Sequence, residues 1–251
     1  MSDVANSLMV RNLSITYPGN TLASLNHLSL NLSLGGWNCI LGQSGSGKTT
    51  LLKYLAGLLP SDCMTSGGLN QTSARYVQDN IAYMAQQDLL LPWLSVLDNV
   101  CLEQKIKGKL RKEDAANRAR ELLVQVGLGA AINKMPDELS GGMRQRVALA
   151  RTLIQDKPVV LMDEPFSALD AVTRHQLQAL SHQLLQGKTV VLITHDPAEA
   201  CRLADRIFLL ESHTSKLSEL ATPAGVAPRD WDQTSAELQN QIFQQLGASH
   251  G

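Results

Sequence analysis

The sequence has no excess of charge of either sign, which limits the partners expected for it. Its 251 residues include 22 Lys and Arg against 23 Asp and Glu, so the formal net charge is −1. Proteins that bind nucleic acids or anionic membrane surfaces usually carry a basic stripe or a basic overall balance. The composition therefore disfavours nucleic acid as a partner.

Long apolar runs and paired cysteines are also missing. No stretch of about eighteen apolar residues is present, and the opening MSDVANSLMV lacks the charged-then-apolar layout of a signal peptide. We therefore expect any membrane role to come through a partner. The four cysteines are Cys39, Cys63, Cys101 and Cys201, and they form no CxxC pair. The sequence therefore indicates neither a zinc site nor a redox pair, and we expect all four to be reduced thiols in the cytosol.

The most informative stretch that is present runs from Gly42 to Leu52, GQSGSGKTTLL. Gly42 is followed by four residues and then by Gly47-Lys48-Thr49, which is the spacing of a phosphate-binding loop. Alternating apolar residues predict a strand over 37–41 before the loop. An apolar-periodic pattern predicts a helix after it, from Lys48 to Leu59, which is the context that the motif requires.

Each residue type in this loop has a physical role. Gly42, Gly45 and Gly47 have no Cβ, so the backbone can curl and point its N–H groups inward as an anion site. Lys48 is a compact cation that can reach the β- and γ-phosphates, and the Thr49 hydroxyl is suited to ligate Mg²⁺. The stretch predicts nucleotide binding, and a glycine-rich turn with a chance lysine is the alternative.

Two strands are predicted ahead of the loop. Apolar residues alternate from Leu8 to Tyr17 and again from Leu28 to Leu34, with a turn over 18–20. Two half-buried strands joined through a turn imply an antiparallel sheet. Tyr17 could present its ring to an adenine base, or it could pack as a core tyrosine at the strand end.

The segment after the phosphate-loop helix mixes polar and apolar patterns. Residues 61–73 are polar and glycine-rich and predict a loop, and residues 81–86 predict a strand. In the following QQDLLLPWLSVLDNV, Pro92 prevents a single regular helix. We therefore predict an exposed apolar patch over Leu89 to Val96 that includes Trp93, with burial inside the domain as the alternative.

Helices are predicted over most of the next stretch. One starts at the N-cap pair Ser95 and Asp98 and runs through Leu102, and another runs from about Arg111 to Val126. Together they separate two parts of the nucleotide-binding core.

The sequence LSGGMRQR, residues 139–146, begins a further helix that runs to about Gln155. Ser140 is a good N-cap, and Gly141 and Gly142 leave backbone N–H groups accessible in the first turn. Each glycine lowers helix stability by up to about 1 kcal/mol, so a helix that only needed a cap would not carry two. The stretch predicts a second helix N-terminus suited to an anion.

Two candidate catalytic carboxylates follow a buried strand. The apolar run VVLMDEP, residues 159–165, is typical of a strand covered on both faces in a parallel sheet. It ends at Asp163, suited to the Mg²⁺ shell, and Glu164, suited to activating a water. The next buried strand, Thr189 to Thr194, delivers His195 to the same edge; a lone histidine is usually structural, but this register favours a functional one.

The phosphate loop, LSGGMRQR, LMDEP, SALD and the His195 strand, in this order, resemble the ATP-binding-cassette (ABC) ATPases over about residues 8–211. The LSGG element is that family's own signature, so it is more specific than the phosphate loop alone. The resemblance implies one α/β domain with a phosphate-loop NTPase (RecA-like) core. The implied parts are a mostly parallel sheet with an antiparallel β subdomain (about 8–86 and 158–211), a helical insertion (about 87–157) and a short tail (212–251).

The resemblance also implies roles for individual residues. Tyr17 is similar to the adenine-stacking aromatic, and Gln86 to the glutamine that senses the γ-phosphate and Mg²⁺, with Gln87 as the other candidate. Glu164 is similar to the catalytic base, His195 to the γ-phosphate switch and Asp170 to the dimer-communication aspartate. The resemblance implies that the phosphate loop contacts ATP through Gly42, Gln43, Ser44, Gly45, Ser46, Gly47, Lys48, Thr49 and Thr50. It implies that Mg²⁺ is bound by Thr49, Gln86 and Asp163. It also implies that the signature contacts ATP across a dimer through Ser140, Gly141 and Gly142.

Within the family, LLPWLSVLDNV and Met143 resemble the importer ATPases for nitrate, sulfonate, taurine and pyrimidine-type thiamine precursors. This implies a homodimer at the cytoplasmic face of the inner (plasma) membrane, two permease subunits docked near Leu89 to Val96, and a separate substrate-binding protein. One rival is a phosphate-loop kinase, which has no need of LSGGMRQR. The other is a soluble cassette ATPase of DNA repair or translation, which tends to carry a coiled-coil insertion or two cassettes, and neither is found here.

Overall fold

The computed structural model describes residues 7–77, 80–107, 112–212, 214–230 and 233–248. Two β-sheets and the helices around them make up this part of the chain. The strands are β1 Ser7–Thr16, β2 Leu25–Ser33, β3 Trp37–Leu41, β4 Met64–Leu69, β5 Ile81–Met84, β6 Val159–Asp163, β7 Thr189–Thr194, β8 Arg206–Leu210 and β9 Leu217–Leu220. The α-helices are α1 Lys48–Leu55, α2 Gln71–Val77, α3 Val96–Val100, α4 Leu102–Lys107, α5 Lys112–Gln125, α6 Gly141–Leu153, α7 Ala171–Leu184, α8 Pro197–Leu203 and α9 Gln233–Ala248.

The larger sheet has the strand order β5-β6-β7-β3-β8-β9. Its first five strands pair in parallel, and β9 pairs antiparallel with β8. This confirms the predicted α/β fold with a mostly parallel sheet. Because parallel strands end at the same edge, the carboxyl ends of β5, β6, β7 and β3 bring the segments that follow them together.

The larger sheet separates two hydrophobic cores. On one face, Cys39, Met162 and Leu192 pack with α3, α5 and α6. On the other face, Ile40 and Leu161 pack with α1 and the smaller sheet. Every residue of β3, β6 and β7 is buried. Coverage of both faces explains why these strands carry uninterrupted apolar sequence rather than strict alternation.

The smaller sheet has the order β2-β1-β4 and is antiparallel, as predicted. The buried side chains of β1 change parity between Val10 and Leu13, because Asn12 adopts a φ of 46° and the register shifts there. The predicted loop over 61–73 is wrong, since β4 and the start of α2 lie within it. β4 is an edge strand with mostly exposed side chains, so it shows no apolar alternation.

The helices around the phosphate loop and in the insertion differ from the predictions mainly at their ends. α1 stops at Leu55 instead of Leu59, where the chain turns through Gly57 at a φ of 68°. The helix predicted from Ser95 is two helices, α3 and α4, which meet at Cys101. The predicted start of the next helix, Arg111, lies outside the described residues.

Both predicted N-caps are confirmed. The Ser95 hydroxyl accepts a hydrogen bond from the Asp98 N–H at 3.1 Å, and the Ser140 hydroxyl accepts one from the Met143 N–H at 3.3 Å. These side chains satisfy backbone donors that the first helical turn leaves unpaired. The residues at which α3 and α6 begin are therefore determined by local sequence.

The C-terminal segment adds β9 to the edge of the larger sheet and packs α9 against α8. Ile242 of α9 is buried, and the Gln43 side-chain amide donates to the Leu246 carbonyl at 2.6 Å. The last described helix therefore contacts the phosphate loop directly. Across the described ranges, no helix combines the length and the apolar character needed to cross a bilayer.

Candidate functional site

The phosphate-loop segment connects the buried end of β3 to the start of α1. A Cβ on Gly47, which has a φ of 95°, would lie 2.5 Å from Leu25 Cδ2 and 2.6 Å from the Ser24 carbonyl. A Cβ on Gly42 would lie 2.7 Å from the Leu210 carbonyl. These positions require glycine, because the loop curls tightly against β2 and β8.

Lys48 folds back into this loop. Its Nζ donates hydrogen bonds to the carbonyls of Gly42 at 2.6 Å and Gln43 at 2.7 Å, and the side chain is buried. Burial lowers the pKa of the Lys48 ammonium, while the charges of Glu164 and Asp163 oppose that shift. A poorly hydrated cation at the mouth of a curled loop is a strong attractor for an anion.

An open cavity of about 370 Å³ lies in front of the loop. Its wall combines the loop and the start of α1 with side chains delivered by β5 and β6. It is lined by Ser24, Ser44, Gly45, Gly47, Lys48, Thr49, Thr50, Gln86, Asp163 and Glu164. The loop, the glutamine and both carboxylates predicted from the sequence therefore share one cavity.

Asp163, at the end of β6, is buried beside the loop. Its carboxylate accepts a hydrogen bond from Thr49, yet its Oδ2 has no hydrogen-bond partner among the described residues. Burial raises the pKa of the Asp163 carboxyl, and the Thr49 hydrogen bond and the Lys48 charge oppose the rise. A hydroxyl and a carboxylate with a spare oxygen suit Mg²⁺, which uses few protein ligands beside phosphate oxygens. These residues fit the predicted ion.

Glu164 lies between the two residues predicted to act with it. Its Oε1 is 3.0 Å from His195 Nδ1, and its Oε2 accepts a longer hydrogen bond from Gln86 Nε2 at 3.4 Å. The backbone of Glu164 adopts a φ of 48°, a conformation that a non-glycine residue keeps only when its surroundings impose it. The ends of β5, β6 and β7 thus bring three predicted catalytic side chains together.

Tyr17 stands at the side of α1 and is half-buried. Its hydroxyl is 3.5 Å from Thr50 Oγ1. The tyrosine is therefore close to the end of the phosphate loop. Its role toward an adenine base stays a prediction.

The signature residues and Asp170 lie away from this cavity in the single chain. Ser140 and Gly141 are exposed at the start of α6. Asp170 is exposed at the start of α7, where its carboxylate accepts the Thr173 N–H at 3.0 Å. That hydrogen bond lowers the pKa of the Asp170 carboxyl. The structure thus places one group of predicted residues at the cavity and another on the outer surface.

Gln145 supports the site from behind, although no sequence motif indicates it. It is buried in α6, where its Nε2 donates to the Glu164 carbonyl at 3.1 Å and its Oε1 accepts the Ala168 N–H at 2.9 Å. The helix that begins with the signature is therefore fastened to the segment that carries Glu164. A polar residue on the buried face of an otherwise apolar-periodic helix was the available signal.

The segment after Gln86 is also fastened to α6. Arg144 Nε contacts Asp88 Oδ2 at 3.1 Å while its Nη1 donates to the Leu139 carbonyl at 2.8 Å. Arg151 donates to the Asp88 and Leu89 carbonyls, and burial lowers the pKa of its guanidinium. A displacement of the Gln86 segment would therefore change contacts near both ends of α6.

The predicted apolar patch is on the surface only in part, because Val96 is fully buried and Leu90 packs against the core. Trp93 is 69% exposed and Leu89 is 59% exposed, so the alternative that Trp93 is buried is wrong. Buried Asn99 holds this stretch in place, since its Nδ2 donates to the Leu91 and Leu94 carbonyls at 3.1 and 2.9 Å and its Oδ1 accepts the Leu91 N–H at 2.8 Å. The exposed side chains are thus presented by an ordered backbone.

The sequence profile of the ABC transporter family matches residues 25–167. The chain belongs to this family. An uncharacterised ABC transporter ATP-binding protein of Haemophilus influenzae is 44% identical over 242 residues, which span 95% of this chain and 98% of that protein. The aliphatic sulfonates import ATP-binding protein SsuB of Shigella flexneri is 41% identical over 244 residues, which span 95% of this chain and 90% of SsuB.

Solved structures agree with this assignment. The dimeric bacterial ABC transporter cassette MJ0796 superposes with a TM-score of 0.73 at 33% identity, covering 85% of this chain and 99% of that one. A post-hydrolysis structure of the same cassette bound to ADP and Pi gives the same TM-score at 32% identity. This ABC transporter subunit is accordingly an ATP-binding and ATP-hydrolysing cassette, as the signature predicted.

Proposed function

We propose that this ABC ATPase powers import of a small molecule of the nitrate, sulfonate, taurine or pyrimidine thiamine-precursor type. The observation that carries the proposal is the position of Glu164, held between Gln86 and His195 at the wall of the phosphate cavity. The similarity to SsuB supports the importer assignment and favours a sulfonate among these substrates.

In the proposed site, the N–H groups of residues 42–47 and the Lys48 ammonium bind the phosphates, while Tyr17 stacks on the adenine. Thr49, Gln86 and Asp163 would hold Mg²⁺, which would supply positive charge to neutralise the phosphates. Glu164 orients and polarises the attacking water. His195 and Gln86 hold the Glu164 carboxylate and respond to the γ-phosphate.

The proposed active unit is a homodimer. Ser140 and Gly141 are exposed and Gly142 is half-buried at a helix N-terminus, and none of the three lines the phosphate cavity of its own chain, so they can meet the triphosphate held by a second copy. Asp170 lies on the surface at the start of α7, where it can sense that second copy. The dimeric state of the MJ0796 structure supports this arrangement.

The proposed docking surface for the two permease subunits is the patch over Leu89 to Val96. Exposed aromatic side chains commonly anchor such contacts, and this patch directly follows Gln86. Binding of ATP would therefore alter the surface on which the permease rests. Docking there would hold the subunit at the cytoplasmic face of the inner membrane, and a separate binding protein would deliver the substrate.

Copurification from membranes tests this proposal. We expect the tagged chain, isolated from detergent-solubilised membranes, to bring integral membrane proteins with it, and Trp93→Ala to reduce their recovery while ATP binding stays unchanged. Phe243→Ala is the matched control, because Phe243 is 70% exposed on α9, away from the patch. If no integral membrane protein accompanies wild type, the transporter assignment fails. Recovery that Trp93→Ala leaves intact would place docking elsewhere.

A further inference from the structure

A network of buried polar side chains lies behind the turn that carries His195. Glu199 of α8, Gln178 of α7 and Thr194 of β7 are each at most 5% exposed. The Glu199 carboxylate accepts a hydrogen bond from Gln178 Nε2 at 3.1 Å and another from the Thr194 hydroxyl. A carboxylate is kept in such an interior position only when hydrogen bonds compensate its lost hydration.

The Thr194 hydroxyl connects the Glu199 carboxylate to the backbone of the turn that carries His195. Thr194 Oγ1 accepts the Asp196 N–H at 3.0 Å, so its single proton remains for Glu199. The hydroxyl thereby links the carboxylate to the backbone on the far side of His195. Asp196 continues the turn into α8, where its side chain accepts the Ala198 N–H at 2.9 Å. The backbone on both sides of His195 is thus fixed by contacts that lead to Glu199.

Glu199 is also close to the catalytic pair. A small cavity of about 60 Å³ is lined by Glu199 and Thr194 together with Glu164 and His195. His195 itself makes its contact with Glu164 through Nδ1 at 3.0 Å. A shift of the turn by a fraction of that distance would change the contact that holds the Glu164 carboxylate.

The second hydrogen bond of Glu199 leads to a different element. Gln178 lies in α7, the helix that Asp170 caps at the exposed surface. Glu199 therefore joins α7 to the His195 turn in the interior, in addition to the more exposed ion pair between Arg174 and Asp196 at 3.7 Å. A displacement at the start of α7 can reach His195 through this carboxylate.

We infer that Glu199 is a positioning residue for ATP hydrolysis: through Thr194 it holds the His195 turn against Glu164, and through Gln178 it ties that turn to α7. The inference rests on the proposed roles of Glu164 and His195. Glu199 does not contact the phosphate cavity, so it should influence the rate of hydrolysis and leave nucleotide affinity unchanged.

The electrostatics of the network are consistent with this role. Burial raises the pKa of Glu199 to about 7, with hydrogen bonds from Thr194 and Gln178 and the Arg174 charge opposing the rise and Asp196 adding to it. The buried thiols of Cys39 and Cys201 also lie near Glu199. Other charged or titratable side chains share one of two cavities with it: Arg174, His175, Asp196, Arg202, Arg229 and Asp230, and Glu164 and His195. The ionised carboxylate accepts both hydrogen bonds, so this arrangement weakens as the pH falls below that value.

Two isosteric variants of the full chain test the inference. Glu199→Gln keeps the shape of the side chain but places an amide N–H₂ against the Gln178 or Thr194 donor. Thr194→Val keeps the shape of that side chain but removes its hydroxyl. We expect each to lower kcat roughly tenfold with KM for ATP within about twofold, since misplacing a catalytic group acts on the chemical step. Thr194→Ser keeps the hydroxyl and should retain most of the activity.

Three further measurements separate positioning from loss of stability. The double variant of Glu199→Gln and Thr194→Val should be no slower than the slower single variant. The reason is that both substitutions break the same connection, the hydrogen bond between Thr194 and Glu199. Wild type should lose kcat as the pH falls through about 7, and Glu199→Gln should lack that component. Leu30→Ala, in the distant smaller sheet, lowers the melting temperature without touching the turn, so its kcat should equal that of wild type at a temperature where it is folded.

The outcomes are distinct for the inference and for the proposed function. Wild-type kcat in folded Glu199→Gln, or additive effects of the two single variants, would overturn the inference while leaving the proposed function intact. If Glu199→Gln fails to fold, wild-type kcat in Thr194→Val overturns the inference by itself. A wild-type chain that hydrolyses no ATP would refute the proposed function and, with it, the inference.

Discussion

At the scale of single residues, Lys48 shows how the site is prepared for an anion. Its ammonium is removed from water and bonded to two loop carbonyls, Gly42 and Gln43. Those neutral partners only partly replace its hydration, which agrees with the lowered pKa. A triphosphate would supply the missing negative charge.

We therefore expect Lys48→Ala to nearly abolish ATP binding by the isolated chain. Truncating one partner of a buried charged pair typically costs about 2–5 kcal/mol, which corresponds to a roughly 30-fold to several-thousand-fold rise in Kd. Calorimetric titration with ATP measures this directly. Lys134→Ala is the control, because Lys134 is an exposed lysine away from the loop. Equal affinity in Lys48→Ala and wild type would refute the assignment of the phosphate site.

At the scale of elements, the segment between Gln86 and α3 illustrates how a loop can be ordered by one side chain. Asn99 is fully buried and satisfies backbone groups of Leu91, Leu94 and Ser95. It replaces the ladder hydrogen bonds that Pro92 and the irregular backbone preclude. The exposed position of Trp93 therefore depends on a residue that never reaches the surface.

Asn99→Ala should lower the free energy of unfolding by about 2–4 kcal/mol, since several buried backbone groups lose their partners. Hydrogen exchange should also show faster exchange of the Leu91 amide. ATP affinity should stay at the wild-type value, because Asn99 does not line the phosphate cavity. The matched change Asn117→Ala, on the exposed face of α5, should alter stability by less than about 0.5 kcal/mol. Unchanged protection of the Leu91 amide in Asn99→Ala would contradict this account.

The sequence predicted the elements whose signal is local and missed those set by tertiary contacts. β6 and β7 are uninterrupted apolar runs, and Ser95 and Ser140 are caps that act within one turn, so all four were recognisable. β4 was missed because its pairing depends on glycines rather than on apolar side chains. A Cβ on Gly67 would lie 2.1 Å from the Asn12 carbonyl, and one on Gly68 would lie 2.0 Å from the Tyr54 hydroxyl.

The same distinction holds for the site. Motif spacing predicted Lys48, Asp163 and Glu164 as site residues, and the structure brings them to one cavity. Gln145 and Glu199 have no motif, because each joins segments that are distant in the sequence. Asn99 has none because it fixes an irregular backbone just before it in the chain. Only a structure shows that the Gln145 amide meets the backbone of Glu164, 19 residues away.

At the scale of the whole molecule, one chain carries the two parts of the proposed dimeric site at separate places. The phosphate cavity contains the loop and the carboxylates, whereas the signature lies exposed at the start of α6. Gln145 fastens α6 to the Glu164 segment, and Arg144 fastens it to Asp88. A second copy bound at the signature could therefore influence the catalytic segment of the copy that carries it.

This arrangement predicts that trapped ATP holds two copies together. Glu164→Gln removes the carboxylate that we propose polarises water but leaves the phosphate contacts intact, so ATP should bind while its hydrolysis largely stops. Light scattering should then report a dimer in the presence of ATP and a monomer without it. Adding Lys48→Ala should abolish the dimer, because the nucleotide that bridges the two copies is lost.

A second control isolates the surface that the other copy touches. Gly141→Asp, placed in the Glu164→Gln background, puts a carboxylate in the first turn of α6, where a Cβ meets only the end of the Arg144 side chain at 3.9 Å. A negative charge at a helix N-terminus stabilises the chain's own helix by about 0.3–1 kcal/mol, yet it would repel a partner's triphosphate. ATP should therefore still bind to this double variant, but the ATP-dependent dimer should disappear. Glu164→Gln that binds ATP and stays strictly monomeric, or a dimer that Gly141→Asp does not weaken, would show that the signature does not close over the phosphates of a second copy.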